Sequence, residues 1–138
     1  MRIFRIYLPV ICLLFCFSCK KFVEDQKKQA VMSFITSGQW KIESYLVDTV
    51  SITSEFNGYT FKFNEDGTVT GIYGTTTIPG TWIGEISDYS ITSDFPGSDD
   101  PVKKLIGHWI VKDSGSTFVK ADLKTTTSTL HLHLIKIP

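Results

Sequence analysis

The stretch YTFKFNEDGTVTG, Tyr59 to Gly71, constrains this chain more than any other. Tyr59, Phe61 and Phe63 alternate with Thr60, Lys62 and Asn64. A period of two sets the rings on one face of an extended strand and the polar groups on the other. Asn64 to Gly67 reads as a hairpin turn, with glycine where the backbone needs a positive φ. Val69, Gly71 and Tyr73 continue the pattern on the partner strand. A lone hairpin of this kind is not stable in water, so its apolar face demands further strands.

The same period recurs along the chain. Trp40, Ile42 and Leu46 alternate with Lys41 and Glu43. Thr76 to Ile86 carries Trp82, with Pro79 and Gly80 marking a bulge or an edge. Asp88 to Asp94, His108 to Lys112, Thr117 to Leu123 and Ser128 to Ile137 complete the set. No helices of 10–15 residues separate these segments, which excludes a parallel α/β sheet. Helical spacing occurs once, over Glu24 to Ser37, where Val23, Ala30, Val31, Phe34 and Ile35 gather on one side. Acidic residues at its start and Gly38 at its end fit helix polarity. Its apolar face is expected to lie against the strands. In the loop from Pro96 to Gly107, Asp100 is expected to cap one helical turn that begins at Pro101. The pattern predicts an all-β domain of about eight antiparallel strands, an up-and-down meander barrel preceded by a short helix. Closure into a barrel removes the unpaired edges; an open sandwich is the alternative.

The N-terminal segment has a different character. Arg2 and Arg5 precede an apolar run from Ile6 to Phe17, about a dozen residues where a spanning helix needs about 20. That is the layout of a secretory signal. All three cysteines, Cys12, Cys16 and Cys19, lie in this region. Bulky Ile11 and Phe15 precede the first two, whereas small Ser18 precedes Cys19. The stretch resembles a bacterial lipoprotein signal. The resemblance implies a signal peptide over 1–18 and Cys19 as the first mature residue, carrying acyl chains such as palmitate. It further implies a tether and helix over 19–37 and the barrel over 38–138. Ordinary secretion with Cys19 as a free thiol is the alternative. Lys20, standing where aspartate would favour the inner membrane, implies an outer-membrane anchor. Basic Lys20 and Lys21 imply the periplasmic face rather than the cell surface.

Without Arg2 and Arg5, the 14 basic residues reduce to 12 lysines against 14 acidic residues, a formal charge of −2. No basic stripe of the kind that binds nucleic acid is present. No guanidinium fork remains to clamp phosphate or carboxylate.

SGQWKIESY places Gly38 and Trp40 at the start of the first strand, directly after the helix. This resembles the Gly-x-Trp opening of lipocalins. Together with YTFKFNEDGTVTG and GTWIG it is similar to the small lipocalin-like lipoproteins of Gram-negative bacteria. The resemblance implies that Gly38 and Trp40 close one end of the barrel. Lipocalins stack an arginine on this tryptophan, and this chain has no arginine after Arg5.

Site chemistry is sparse. His131 and His133, two apart on a strand, share a face, but Leu130, Leu132 and Leu134 make the better core face and turn the histidines to solvent. No metal site or cofactor is expected. No Gly-x-Ser-x-Gly elbow and no glycine-rich phosphate loop occurs, and the acidic pairs Glu65-Asp66 and Asp99-Asp100 sit in turns. An enzyme is not expected. Trp40, Tyr59, Phe61, Phe63, Tyr73, Trp82 and Trp109 are expected to share the interior. An eight-stranded barrel is either filled by side chains or holds one small ligand. Gly71, Gly80 and Gly84 remove volume and favour the latter. The first reading is a membrane-anchored monomer that binds a small apolar or amphipathic ligand in or at the mouth of the barrel, contacted by Tyr59, Phe61, Trp82 and Trp109. The second is a packed barrel that docks an envelope protein, with Lys124 to Thr129 as one candidate surface.

Overall fold

A computed structural model describes residues 23–138; the expected signal peptide over 1–18 and the expected lipidation site Cys19 lie outside the described residues. A helix over 23–36, α1, precedes nine strands. These are β1 (Gln39–Val47), β2 (Val50–Ser51), β3 (Tyr59–Phe63), β4 (Thr68–Tyr73), β5 (Thr76–Glu85), β6 (Ser90–Asp94), β7 (Gly107–Ser114), β8 (Phe118–Lys124) and β9 (Thr129–Ile137). β2 only folds back on the end of β1. The other eight are antiparallel neighbours in chain order, and β9 returns to pair with β1 from Gln39↔Ile137 to Val47↔Leu130. The result is a closed eight-stranded up-and-down barrel, not an open sandwich.

The hairpin that led the sequence reading forms as its residues dictate. Gly67 takes φ 87°, and its N–H donates to the Asn64 carbonyl at 3.2 Å. Asp66 accepts from the Thr68 hydroxyl at 2.6 Å and the Thr68 N–H at 2.9 Å, which holds its carboxyl below the usual carboxylate range. Phe61 and Phe63 are buried, as alternation requires. Pro79 sits where β5 pairs only with β4, because β5–β6 pairing begins at Thr81. A residue without an N–H is tolerated there.

β1 departs from simple alternation. Its register against β9 shifts between Ile42 and Ser44. A bulge inserts one residue and reverses which side chains face inward. Trp40 and Tyr45 are therefore both buried, at 1 % exposure, and Leu46 is only half-buried. The expected Trp40–Ile42–Leu46 core face is corrected accordingly.

One end of the barrel is sealed. Two 3-10 turns, Thr53–Phe56 and Val102–Leu105, plug it with Phe56, Val102 and Leu105, all buried. Lys104 and Glu55 pair across the plug. The Leu105 carbonyl accepts from the Trp109 indole at 2.9 Å and the Ser93 hydroxyl at 2.5 Å. Asp100 does not cap the second turn: Pro101 occupies the cap position and no side chain bonds there. Tyr73, expected inside, is half exposed and stacks on Tyr59 at 4.6 Å. It lies on the last residue of its strand, where alternation no longer meets a facing wall.

Tyr45 ties β1 to this plug by donating its hydroxyl to the Lys104 carbonyl at 2.7 Å. Burial, reinforced by the nearby Glu55 charge, pushes its pKa up to about 12 from 10. The folded chain thus holds this proton more tightly than the unfolded chain does. The associated stability is intact below about pH 10 and is lost as the pH rises towards about 12. Tyr45→Phe should cost about 1 kcal/mol at neutral pH. It should also flatten the decline in urea midpoint between about pH 9.5 and 11, measured against the native chain.

Candidate functional site

The opposite end is built differently. Here α1 lies across the barrel mouth and is held by its C-terminal carbonyls. The last carbonyls of any helix lack intrahelical partners. In this chain three neighbouring strands supply them. The Trp40 indole of β1 donates to the Ile35 carbonyl at 2.9 Å. The Lys136 ammonium of β9 donates to the Phe34 carbonyl at 2.7 Å and to the Ser37 hydroxyl at 2.9 Å. The Lys62 ammonium of β3 donates to the Thr36 carbonyl. Two cations at a helix C-terminus also oppose its dipole favourably. Gly38, at φ 76°, ends the helix and turns the chain into β1.

Trp40 and Lys136 are directly paired across β1 and β9. That register brings the ammonium over the indole, 5.1 Å from the ring centroid. The lysine thus makes a cation–π contact with the buried indole. Gly38 and Trp40 stand at this end of the barrel, where the helix passes into β1.

The helix covers the mouth incompletely. Ile35 is buried and Met32 packs against the core, but Val31 and Phe34 remain 43 % and 48 % exposed. The expectation that the whole apolar face lies on the strands is corrected: the three-carbonyl anchor holds only the last turn. Between the helix and the rim is an open cavity of about 310 Å³. Ala30, Val31 and Phe34 form its helical wall, Ile86 and Tyr89 its rim, and Trp40 and Val119 part of its floor. Lys27, Lys28 and Glu85 supply charge at its edge.

The interior offers far less room. A void of about 50 Å³ lies among Phe61, Phe95, Trp109 and Leu132. A cavity that takes up benzene measures about 150 Å³. Of the glycines expected to make space, Gly84 borders the mouth cavity, and all three stand close to rings. A Cβ on Gly80 would meet the Phe95 ring at 2.6 Å and the Asp94 carbonyl at 2.5 Å. One on Gly71 would lie 3.4 Å from Phe61, and one on Gly84 3.2 Å from Trp82.

The four residues expected to touch a ligand are therefore dispersed. Phe61 and Trp109 border the small interior void. Tyr59 stacks on Tyr73 towards the sealed end. Trp82 is buried, edge-on to Phe63 at 5.4 Å, and donates its indole N–H to the Asn64 carbonyl at 2.9 Å. Sequence reading missed Lys62 and Lys136 as helix anchors, and Val31, Phe34, Ile86 and Tyr89 as walls of the mouth. The available signal was the breadth of the apolar helix face, from Val23 through Val31 and Phe34 to Ile35.

The histidines are engaged elsewhere. His131 contacts Asp122 at 2.7 Å, and His133 meets the Phe118 ring edge-on at 6.2 Å. His108 lies 2.8 Å from the Thr92 hydroxyl and 3.2 Å from Asp88. The Ser90 hydroxyl and then His108 hold the Asp88 carboxyl below the usual range. Among the described residues no three His, Cys, Asp or Glu side chains converge as a metal requires.

No family model and no curated protein matches the sequence. Among solved structures, the fold is similar to the crystal structure of a DUF4847 family protein from Bacteroides vulgatus. The two align with a TM-score of 0.58 at 14 % identity, over 76 % of this chain and 96 % of that one. At that identity the likeness is one of fold.

Lys136→Met keeps the aliphatic stem and removes both hydrogen bonds and the cation–π contact. Such losses amount to about 1–2 kcal/mol. We expect amide hydrogen exchange over 23–36 to quicken at least tenfold, while β4 to β8 exchange as in the native chain. Unchanged protection of the helix would show that Lys136 does not hold it.

Proposed function

We propose that this protein is a membrane-anchored, non-enzymatic binding protein whose ligand, a small apolar or amphipathic molecule, sits at the mouth of the barrel beneath α1. The observation that carries this reading is the contrast between two spaces. The mouth cavity, about 310 Å³, falls at the lower end of the range for small-molecule sites. The interior void, about 50 Å³, is too small for such a ligand. Affinity would come from apolar burial at about 25 cal/mol per Å², with Val31, Phe34, Ile86 and Tyr89 as walls. Lys27 and Lys28 stand where a polar head group would emerge. The anchor is assigned to Cys19, in the outer membrane and facing the periplasm, on the strength of the lipoprotein-like signal. The filled interior also favours the second reading, in which a solid barrel docks an envelope protein.

Native mass spectrometry of residues 20–138, which lack Cys19 and so carry no covalent lipid, exported to the periplasm and purified without detergent, distinguishes them. A discrete added mass is expected. Val31→Glu should abolish it by charging the mouth, whereas Ala121→Val, which fills the interior void, should leave it intact. Loss of the added mass in Ala121→Val alone would place the ligand inside the barrel. A bare polypeptide mass throughout, even after challenge with fatty acids, would favour the docking reading.

A further inference from the structure

The apolar mouth is also placed to meet a surface. Exposed large hydrophobic side chains gather at this end: Val31, Phe34 and Tyr89, with Val23 further along the same side of the helix and Ile83 on the outside of β5. Val23, Ala30, Val31 and Phe34 recur at i, i+7, i+8 and i+11, an apolar stripe along one side of a helix. Met32 and Ile35, the residues that touch the core, lie on the neighbouring side. The stripe is thus distinct from the part of the helix that holds it to the barrel.

We infer that this stripe and the adjoining rim seat on a phospholipid bilayer, so that the mouth opens directly onto lipid. The inference rests on the anchored reading of Cys19. Three residues, 20–22, lie between Cys19 and Val23, a span of four residue steps. A fully extended segment of that length reaches about 14 Å. A lipid on Cys19 therefore holds the start of the helix within that distance of the membrane. A helix lying in an interface buries its apolar side by about 5–10 Å, which the tether allows. The charges of the helix, Glu24, Asp25, Lys27 and Lys28, sum to zero. Seating accordingly depends on apolar insertion rather than on attraction to anionic lipid. Lys27 lies within the stripe, and its long stem lets the ammonium reach the head groups. The opposite end is closed by the Glu55–Lys104 pair and two 3-10 turns, and it points away from the bilayer in this arrangement.

The test uses the full lipidated chain reconstituted in phosphatidylcholine vesicles with brominated acyl chains, which quench a tryptophan only at close range. Phe34→Trp and Val31→Trp each place a reporter on the stripe, and Ile106→Trp places one near the sealed end. The native tryptophans are buried and provide the baseline. Reporter emission at 34 and 31 should fall at least twofold relative to unbrominated vesicles, with no change at 106 and no effect of raising the salt to 0.5 M. Vesicles that float with the protein attached while neither stripe reporter is quenched would overturn the seating and leave the anchor intact. Protein that fails to float would overturn the anchor, and the seating with it.

Discussion

Three adjacent carbonyls at the end of α1 organise the open end of this molecule. Phe34, Ile35 and Thr36 have no helical partners for these groups, and Lys136, Trp40 and Lys62 provide them from β9, β1 and β3. Those strands meet where the barrel closes on itself: Trp40 pairs with Lys136 on one side and with Phe61 on the other. The β1–β3 side of that seam carries a single ladder pair. The bonds from both flanks to one helix end therefore span the weakest junction of the sheet. They also fix the helix by its last turn alone, which leaves the preceding apolar residues standing over the mouth.

The two ends of the barrel follow from opposite solutions to the same problem. At the sealed end, buried aromatic and aliphatic side chains fill the opening and polar side chains bond to plug carbonyls: Tyr45 to that of Lys104, and Trp109 and Ser93 both to that of Leu105. At the mouth, backbone groups are matched but apolar area is left uncovered. Exposed apolar walls are costly in water and mark sites of interaction. Inside the barrel, packing leaves only a void of about 50 Å³ among Phe61, Phe95 and Trp109.

Much of the architecture was legible because alternation and turns are local. The Tyr59–Gly71 hairpin, the meander order and the helix ending at Gly38 all follow from residues a few positions apart. The bulge in β1 was not legible. It exchanges Leu46 for Tyr45 in the core through a register set by β9, about ninety residues away in sequence, and both choices look apolar on their own strand. The glycines misled for a related reason. A missing side chain says that something approaches closely, but only the fold reveals whether it is a ligand or a ring. The candidate site was half legible. Gly38 and Trp40 are visible as a local motif after the helix, whereas the mouth depends on how far a helix anchored at one turn diverges from the rim.

The most direct test of the claim that the binding space is the mouth and not the barrel is an NMR titration of the purified chain with dodecanoate, following backbone amides and methyl groups. The account predicts saturable shifts at Ala30, Val31, Ile86 and Tyr89, with the signals of Ala121 and Leu132 unmoved. Shifts concentrated at Ala121 and Leu132, or an absence of saturable shifts at the mouth, would contradict it.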